Sequence, residues 1–254
     1  MLTRYADTIA RLTGLSRTWI GLLLLAIATS VPELFTGISS VAVADAPNIA
    51  VGDALGSCVF NLVMLVLLYF VAMRAAFVHE RRTRPAPSPT GKEPNITLNV
   101  ALVRYAAAAV VVAVAGTWLP FVGLEIADAM GWRTTFVGTL FVAGATSLPE
   151  LVVTISALRI GAVDLAIGNL LGSNLFNMLI LAVDDIVYTK GPLFASVSPA
   201  HAVTAFAAVV MSGIFVVAVQ YQPTTRFRGT VGWVSIALTV IYLLSLYSAY
   251  LHGH

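Results

Sequence analysis

Two glutamates stand in surroundings that ordinarily exclude them. Glu33 and Glu150 each follow a proline inside a long apolar stretch, in the segments AIATSVPELFTGIS (26–39) and AGATSLPELVVTIS (143–156). An ionisable side chain in the middle of such a stretch is costly and normally faces a cavity or a partner. The proline removes one backbone donor and interrupts the helix, so carbonyls upstream, around Ala26 and Ala143, are expected to become available as ligands. Thr29, Ser30, Thr146 and Ser147 add hydroxyls beside them. All of these groups offer oxygen, the donor set of a hard cation such as Ca2+ or Na+. No histidine or cysteine stands with them, which argues against zinc and copper.

A second pair of segments supplies further oxygens. GDALGSCVFN (52–61) and GNLLGSNLFN (168–177) match each other position by position. In each, serine and asparagine are spaced i, i+4 and share one helix face: Ser57 with Asn61, Ser173 with Asn177. Gly56 and Gly172 precede the serines and permit close helix approach. Asp53 lies one turn before Ser57, where the other copy has Asn169; it suits either an outer vestibule or the start of a helix at the interface. Cys58 reads as a packed small residue. His79, His201, His252 and His254 fall at or beyond the ends of apolar stretches.

These segments form an internal repeat. The glutamate segments lie 117 residues apart and the serine segments 116 apart, and Gly14 and Gly21 map onto Gly131 and Gly138 at the first offset. A kinked helix with a glutamate beside a water pocket would explain one copy; two copies in register call for a shared role. An odd number of membrane crossings separates the two, so they are inverted relative to one another. Inverted repeats with interrupted helices are an architecture of secondary transporters, with the site near the bilayer midplane.

The elements that must hold these residues follow from composition. The chain has 254 residues, 59% apolar and 10% charged, with a mean hydropathy of +0.91. A soluble domain carries roughly 25% charged residues, so the solvent for this chain is a bilayer. A net charge of +2 gives no reason to expect nucleic acid, and a single cysteine excludes an intramolecular disulfide. Seven stretches are long and apolar enough to span: 18–44, 54–78, 100–122, 134–158, 163–183, 201–221 and 230–251. Residues 2–13 read as a short amphipathic piece. The expected fold is an all-α polytopic membrane protein of about seven to eight transmembrane helices in two inverted repeats with interrupted helices: residues 1–78, a linker at 79–97, and residues 98–254.

The linker carries Arg81, Arg82, Arg84 and Lys92, which places it in the cytoplasm. Asp45, Glu125, Asp128, Asp184 and Asp185 then fall on the far side, as does the C-terminus. A cysteine introduced at Ser88 is therefore expected to resist a membrane-impermeant maleimide applied to intact cells. Efficient labelling from outside would reverse this topology.

At ATSVPE (28–33) with GSCVFN (56–61), and at ATSLPE (145–150) with GSNLFN (172–177), the sequence resembles the cation/calcium exchanger superfamily, which includes sodium/calcium exchangers. The resemblance covers about residues 4–78 and 100–188. It implies an antiporter fold of ten helices in two inverted halves of five. It also implies that Glu33, Glu150, Thr29, Ser30, Thr146, Ser147, Ser57, Ser173, Asn61 and Asn177 correspond to ion ligands. The implied activity is exchange of Ca2+ for Na+ or H+ across the cell or inner membrane by alternating access, with the ions as substrates and no cofactor. The chain departs from the family pattern in three ways. Asn177 stands where many members carry an acid in one copy. Counterparts of the last two helices of the first half are missing. The helix before the first repeat is short, so the frame upstream of Met1 is expected to encode a further apolar stretch of about 17 residues. A non-transporting membrane subunit and a channel are the rival readings; no nucleophile–base or metal–histidine set points to an enzyme. Transport direction and oligomeric state are not legible.

Overall fold

The computed structural model describes residues 2–80, 98–221, 226–227 and 231–253. The described residues are helical almost throughout, apart from a two-residue antiparallel pairing of Arg226–Phe227 with Val231–Gly232. Ten helical units follow in order: α1 Leu2–Thr13, α2 over 17–29, α3 Val31–Ala42, α4 Pro47–Glu80, α5 Leu98–Met130, α6 Thr134–Thr146, α7 Leu148–Arg159, α8 Val163–Val187, α9 Ala200–Tyr221 and α10 Trp233–His252. Among the described residues, α2–α3, the first part of α4, α8, α9 and α10 are each long and apolar enough to cross a membrane. The bent pair α6–α7 adds a sixth span, and the expected stretch 100–122 lies within α5. The linker expected at 79–97 lies outside the described residues from position 81 onward.

The polarity of the interior is the reverse of a soluble protein's. Thr29, Glu33, Thr36, Asp53, Ser57, Asn61, Glu150 and Asn177 are buried, while Val111, Trp118, Phe206, Val209 and Leu244 lie exposed on the outside. A surface so apolar is stable against lipid and not against water.

The repeat is visible in the backbone. Within α2, a π-helical segment Gly21–Leu25 interrupts the α-helix, and the matching segment Gly138–Val142 does so within α6. Each half-helix then breaks at a serine of nearly the same conformation, Ser30 at φ −91°, ψ 9° and Ser147 at φ −80°, ψ 3°. The proline two residues further enters the first turn of α3 or α7, where its missing N–H is tolerated. The second break bends the chain by 41°. Gly14 and Gly131 close α1 and α5 in the left-handed region, at φ 73° and 66°, which glycine adopts without steric cost.

The two halves interlock. Thr3 of α1 donates to the Val153 carbonyl of α7 at 3.4 Å. Thr36 and Ser39 of α3 donate to the Gly116 and Thr117 carbonyls of α5 at 2.9 and 2.8 Å. The lead helix of each half thus packs on the second half-helix of the other. α4 and α8 cross at the pseudo-two-fold axis, where the equivalent residues Cys58 and Asn174 touch each other. Asn174 Nδ2 donates to the Cys58 carbonyl at 3.3 Å, and Cys58 Sγ to the Asn174 carbonyl at 3.9 Å.

The structure moves two sequence-derived boundaries. α4 begins at Pro47 rather than at 54, so Asp53 lies inside the helix and not at its start. α8 continues to Val187, which takes Asp184 out of the far-side loop and into a buried position. His201, expected at an interface, is likewise buried.

Candidate functional site

Glu33 and Glu150 open α3 and α7, each just past its helix break. Both are buried, at 1% and 0% exposure, deep among apolar helices. The geometry around Glu150 is built from both halves. Its Oε1 accepts from Ser30 Oγ at 3.1 Å and from Ser173 Oγ at 3.2 Å. Ser173 in turn lies 3.4 Å from Thr29 Oγ1. Glu33 repeats this arrangement more loosely: its Oε1 accepts from Ser147 Oγ at 3.5 Å. Ser147 donates to Ser57 Oγ at 3.0 Å, and Ser57 lies 3.4 Å from Thr146 Oγ1. Each glutamate is thus approached by the break-point serine of the other half, so the two sites form one cluster across the pseudo-two-fold axis.

The second carboxylate oxygen of each glutamate, Oε2, has no hydrogen-bond partner although it is buried. A buried carboxylate oxygen left unpaired is strongly unfavourable in an apolar medium, and such oxygens are what a cation binds. Among the described residues no three histidine, cysteine, aspartate or glutamate side chains gather closely enough to hold a metal by themselves. Any coordination shell here must be completed by hydroxyl, amide or carbonyl oxygens.

The structure places eight of the ten expected residues in two matching hydrogen-bonded networks of four: Glu150 with Ser30, Ser173 and Thr29, and Glu33 with Ser147, Ser57 and Thr146. The asparagines stand one turn further along α4 and α8 and bond elsewhere. Asn61 Nδ2 donates to Asn174 Oδ1 at 3.1 Å, and Asn177 Nδ2 to Cys58 Sγ at 3.7 Å. Each keeps a buried Oδ1 without a partner, an acceptor free for a ligand. The carbonyls of Ala26 and Ala143 differ from expectation. Each already accepts a backbone N–H, from Ser30 at 2.9 Å and Ser147 at 3.0 Å. The i−4 carbonyls that Pro32 and Pro149 leave without a donor are those of Ala28 and Ala145.

Two acids join the interior beyond the glutamates. Asp53 is buried, and its Oδ1 accepts from Thr146 Oγ1 at 2.8 Å. Asp184 is buried over Gly37, one turn past Glu33 on α3, where a Cβ would meet its carboxylate oxygens; neither oxygen has a hydrogen-bond partner. The spacing 173, 177, 184 puts Asp184 on the Ser173–Asn177 face of α8, the signal that could have found it.

Against known proteins, the profile of the sodium/calcium exchanger protein family matches residues 1–124 and again 100–251. The chain belongs to the sodium/calcium exchanger family. That family is one of transporters, and this exchanger-family chain is an integral, multi-pass membrane protein rather than an enzyme. It is 49% identical over 63 residues to the sodium/calcium exchanger MaX1 of Methanosarcina acetivorans, a stretch that covers 24% of this chain and only 18% of that one. It is 27% identical over 290 aligned positions to the uncharacterized membrane protein MJ0091 of Methanocaldococcus jannaschii, covering 95% of this chain and 90% of that one. In fold it is similar to the sodium-calcium exchanger NCX_Mj, at a TM-score of 0.62 and 24% identity over 97% of this chain and 92% of that one.

Proposed function

We propose that this exchanger-family chain is a secondary antiporter that moves Ca2+ across the plasma or inner membrane in exchange for Na+ or H+. The observation that carries the reading is the pair of buried glutamates, one from each inverted half, each with a free Oε2 and each approached by the serine of the opposite half. Two carboxylates neutralise one Ca2+, and the hydroxyls of Thr29, Ser30, Ser57, Thr146, Ser147 and Ser173 with the Oδ1 atoms of Asn61 and Asn177 supply a hard cation with further oxygens. The same oxygens serve Na+ after Ca2+ leaves.

The breaks at Ser30 and Ser147 suit alternating access. Half-helices α3 and α7 begin at the site and carry the glutamates in their first turns. The lead helices α5 and α1 are tied to α3 and α7 by side-chain to carbonyl bonds. Rocking one half against the other would open the cluster to one side at a time without dismantling either half.

Reconstituted protein is expected to accumulate Ca2+ in liposomes under an outward Na+ gradient, an outward H+ gradient, or both, and the gradient that works names the coupling ion. Ca2+ that merely runs down its own gradient, whatever the counter-gradient, would replace antiport by a channel. Absence of any flux would favour a non-transporting subunit. The first half favours that rival, because nothing between α4 and α5 corresponds to α9 and α10 among the described residues.

A further inference from the structure

The inverted repeat duplicates its glutamates, serines and threonines but not all of its charge. Asp53 and Asn169 occupy equivalent positions, one turn before Ser57 and Ser173. Their side chains are nearly isosteric, and both are buried. Their surroundings differ. Asn169 is satisfied at both ends: Oδ1 accepts from Thr29 Oγ1 at 3.3 Å, and Nδ2 donates to Thr154 Oγ1 at 3.5 Å. Asp53 Oδ1 accepts from the equivalent hydroxyl, Thr146 Oγ1, at 2.8 Å, but Oδ2 has no partner at all.

From Asp53 an unbroken run of oxygens leads to the central cluster. Thr146 Oγ1 lies 2.8 Å from Asp53 and 3.4 Å from Ser57, Ser57 lies 3.0 Å from Ser147, and Ser147 lies 3.5 Å from Glu33. Glu33 and Asp184 are acids whose fields reach Asp53. A buried aspartate with a free oxygen, in an acidic neighbourhood lined by hydroxyls, is stabilised by a cation. The second half offers a neutral, closed amide at the same place.

We propose that Asp53 is a third anionic ligand of the transport site and binds one monovalent metal cation, of the Na+ class, that the second half of the molecule has no place for. This rests on the antiport reading above. A monovalent ion fits this spot, because the single carboxylate of Asp53 balances one positive charge and Thr146 stands beside it with a further oxygen. Asp53 adds one negative charge to those of Glu33 and Glu150, which raises by one the number of Na+ ions that can be held together.

The test counts Na+. Purified wild-type protein and Asp53→Asn, which copies the residue already accommodated at position 169, are titrated with radioactive Na+ in detergent. In parallel, the charge moved per Ca2+ is read from the reversal potential of Ca2+ flux in proteoliposomes. The expected result is one Na+ fewer bound per chain in the variant and one positive charge fewer countertransported per Ca2+. An unchanged Na+ count overturns the proposal and leaves the antiport reading standing. If the wild type moves no Ca2+, the antiport reading fails, and the direct Na+ count still decides the role of Asp53: one fewer supports it, an equal count overturns it. Should Asp53→Asn not fold, Asp53→Ser removes the same charge and is read in the same way.

Discussion

Glutamine at position 33 or 150 is expected to abolish measurable Ca2+ flux while leaving membrane insertion and yield intact. Each substitution preserves shape and removes one of the two charges that, on the proposed reading, face a divalent ion across the pseudo-two-fold axis. Removing one partner of a buried charge interaction costs about 3 kcal/mol, or roughly a hundredfold in Ca2+ affinity. The two single variants are expected to fail alike, because Ser30 and Ser147 tie each glutamate to the opposite half and neither half forms a site alone. Flux in vesicles at wild-type rate from the double variant would remove both glutamates from the site.

The second large effect is expected at the glycines where the halves cross. A Cβ at Gly56 would strike the Thr139 carbonyl and Ala143, and one at Gly172 would strike the equivalent Leu22 carbonyl and Ala26. Backbone atoms cannot swing aside as a flexible side chain can, so the helices must separate. Gly56→Leu or Gly172→Leu is expected to destabilise the protein by about 3 kcal/mol or more, beyond ordinary overpacking. Thermal melting in detergent measures it, with Gly213→Ala as the comparison: Gly213 has nothing within 4 Å of its Cβ direction, and that change should fall within about 0.5 kcal/mol. Equal melting temperatures for Gly172→Leu and Gly213→Ala would mean that the crossing is looser than described.

The crossing and the helix breaks were legible because they are written locally. Ser/Thr-Pro-Glu inside an apolar stretch states both the interruption and the buried charge, and repetition at offsets of 117 and 116 states the inversion. Six of the seven apolar stretches correspond to helical spans or a bent pair, and the seventh, 100–122, lies within α5, because lipid demands a long apolar run. What escaped was set by contacts across the chain. The π-helical segments at Gly21 and Gly138 carry no composition of their own; they let α2 and α6 pass closely by α8 and α4. Asp184 looked like a loop residue because a carboxylate near the end of a span is ordinary there. Only Gly37, across on α3, shows that the space it fills is internal. Asp53 was ambiguous because seven more residues of helix precede the apolar stretch than hydropathy suggested, and its partner Thr146 lies 93 residues away. The swapped packing of α1 on α7 and α5 on α3 is likewise a choice of partner, invisible to any one segment.

The most direct test of a single site shared by two inverted halves is a count of Ca2+ bound at equilibrium per chain, in the wild type and in Glu33→Gln and Glu150→Gln separately, in the absence of Na+. The shared site predicts one high-affinity Ca2+ per wild-type chain and loss of that same ion in either variant. Two Ca2+ per wild-type chain, with one surviving in each variant, would mean that the halves bind independently and would contradict the account.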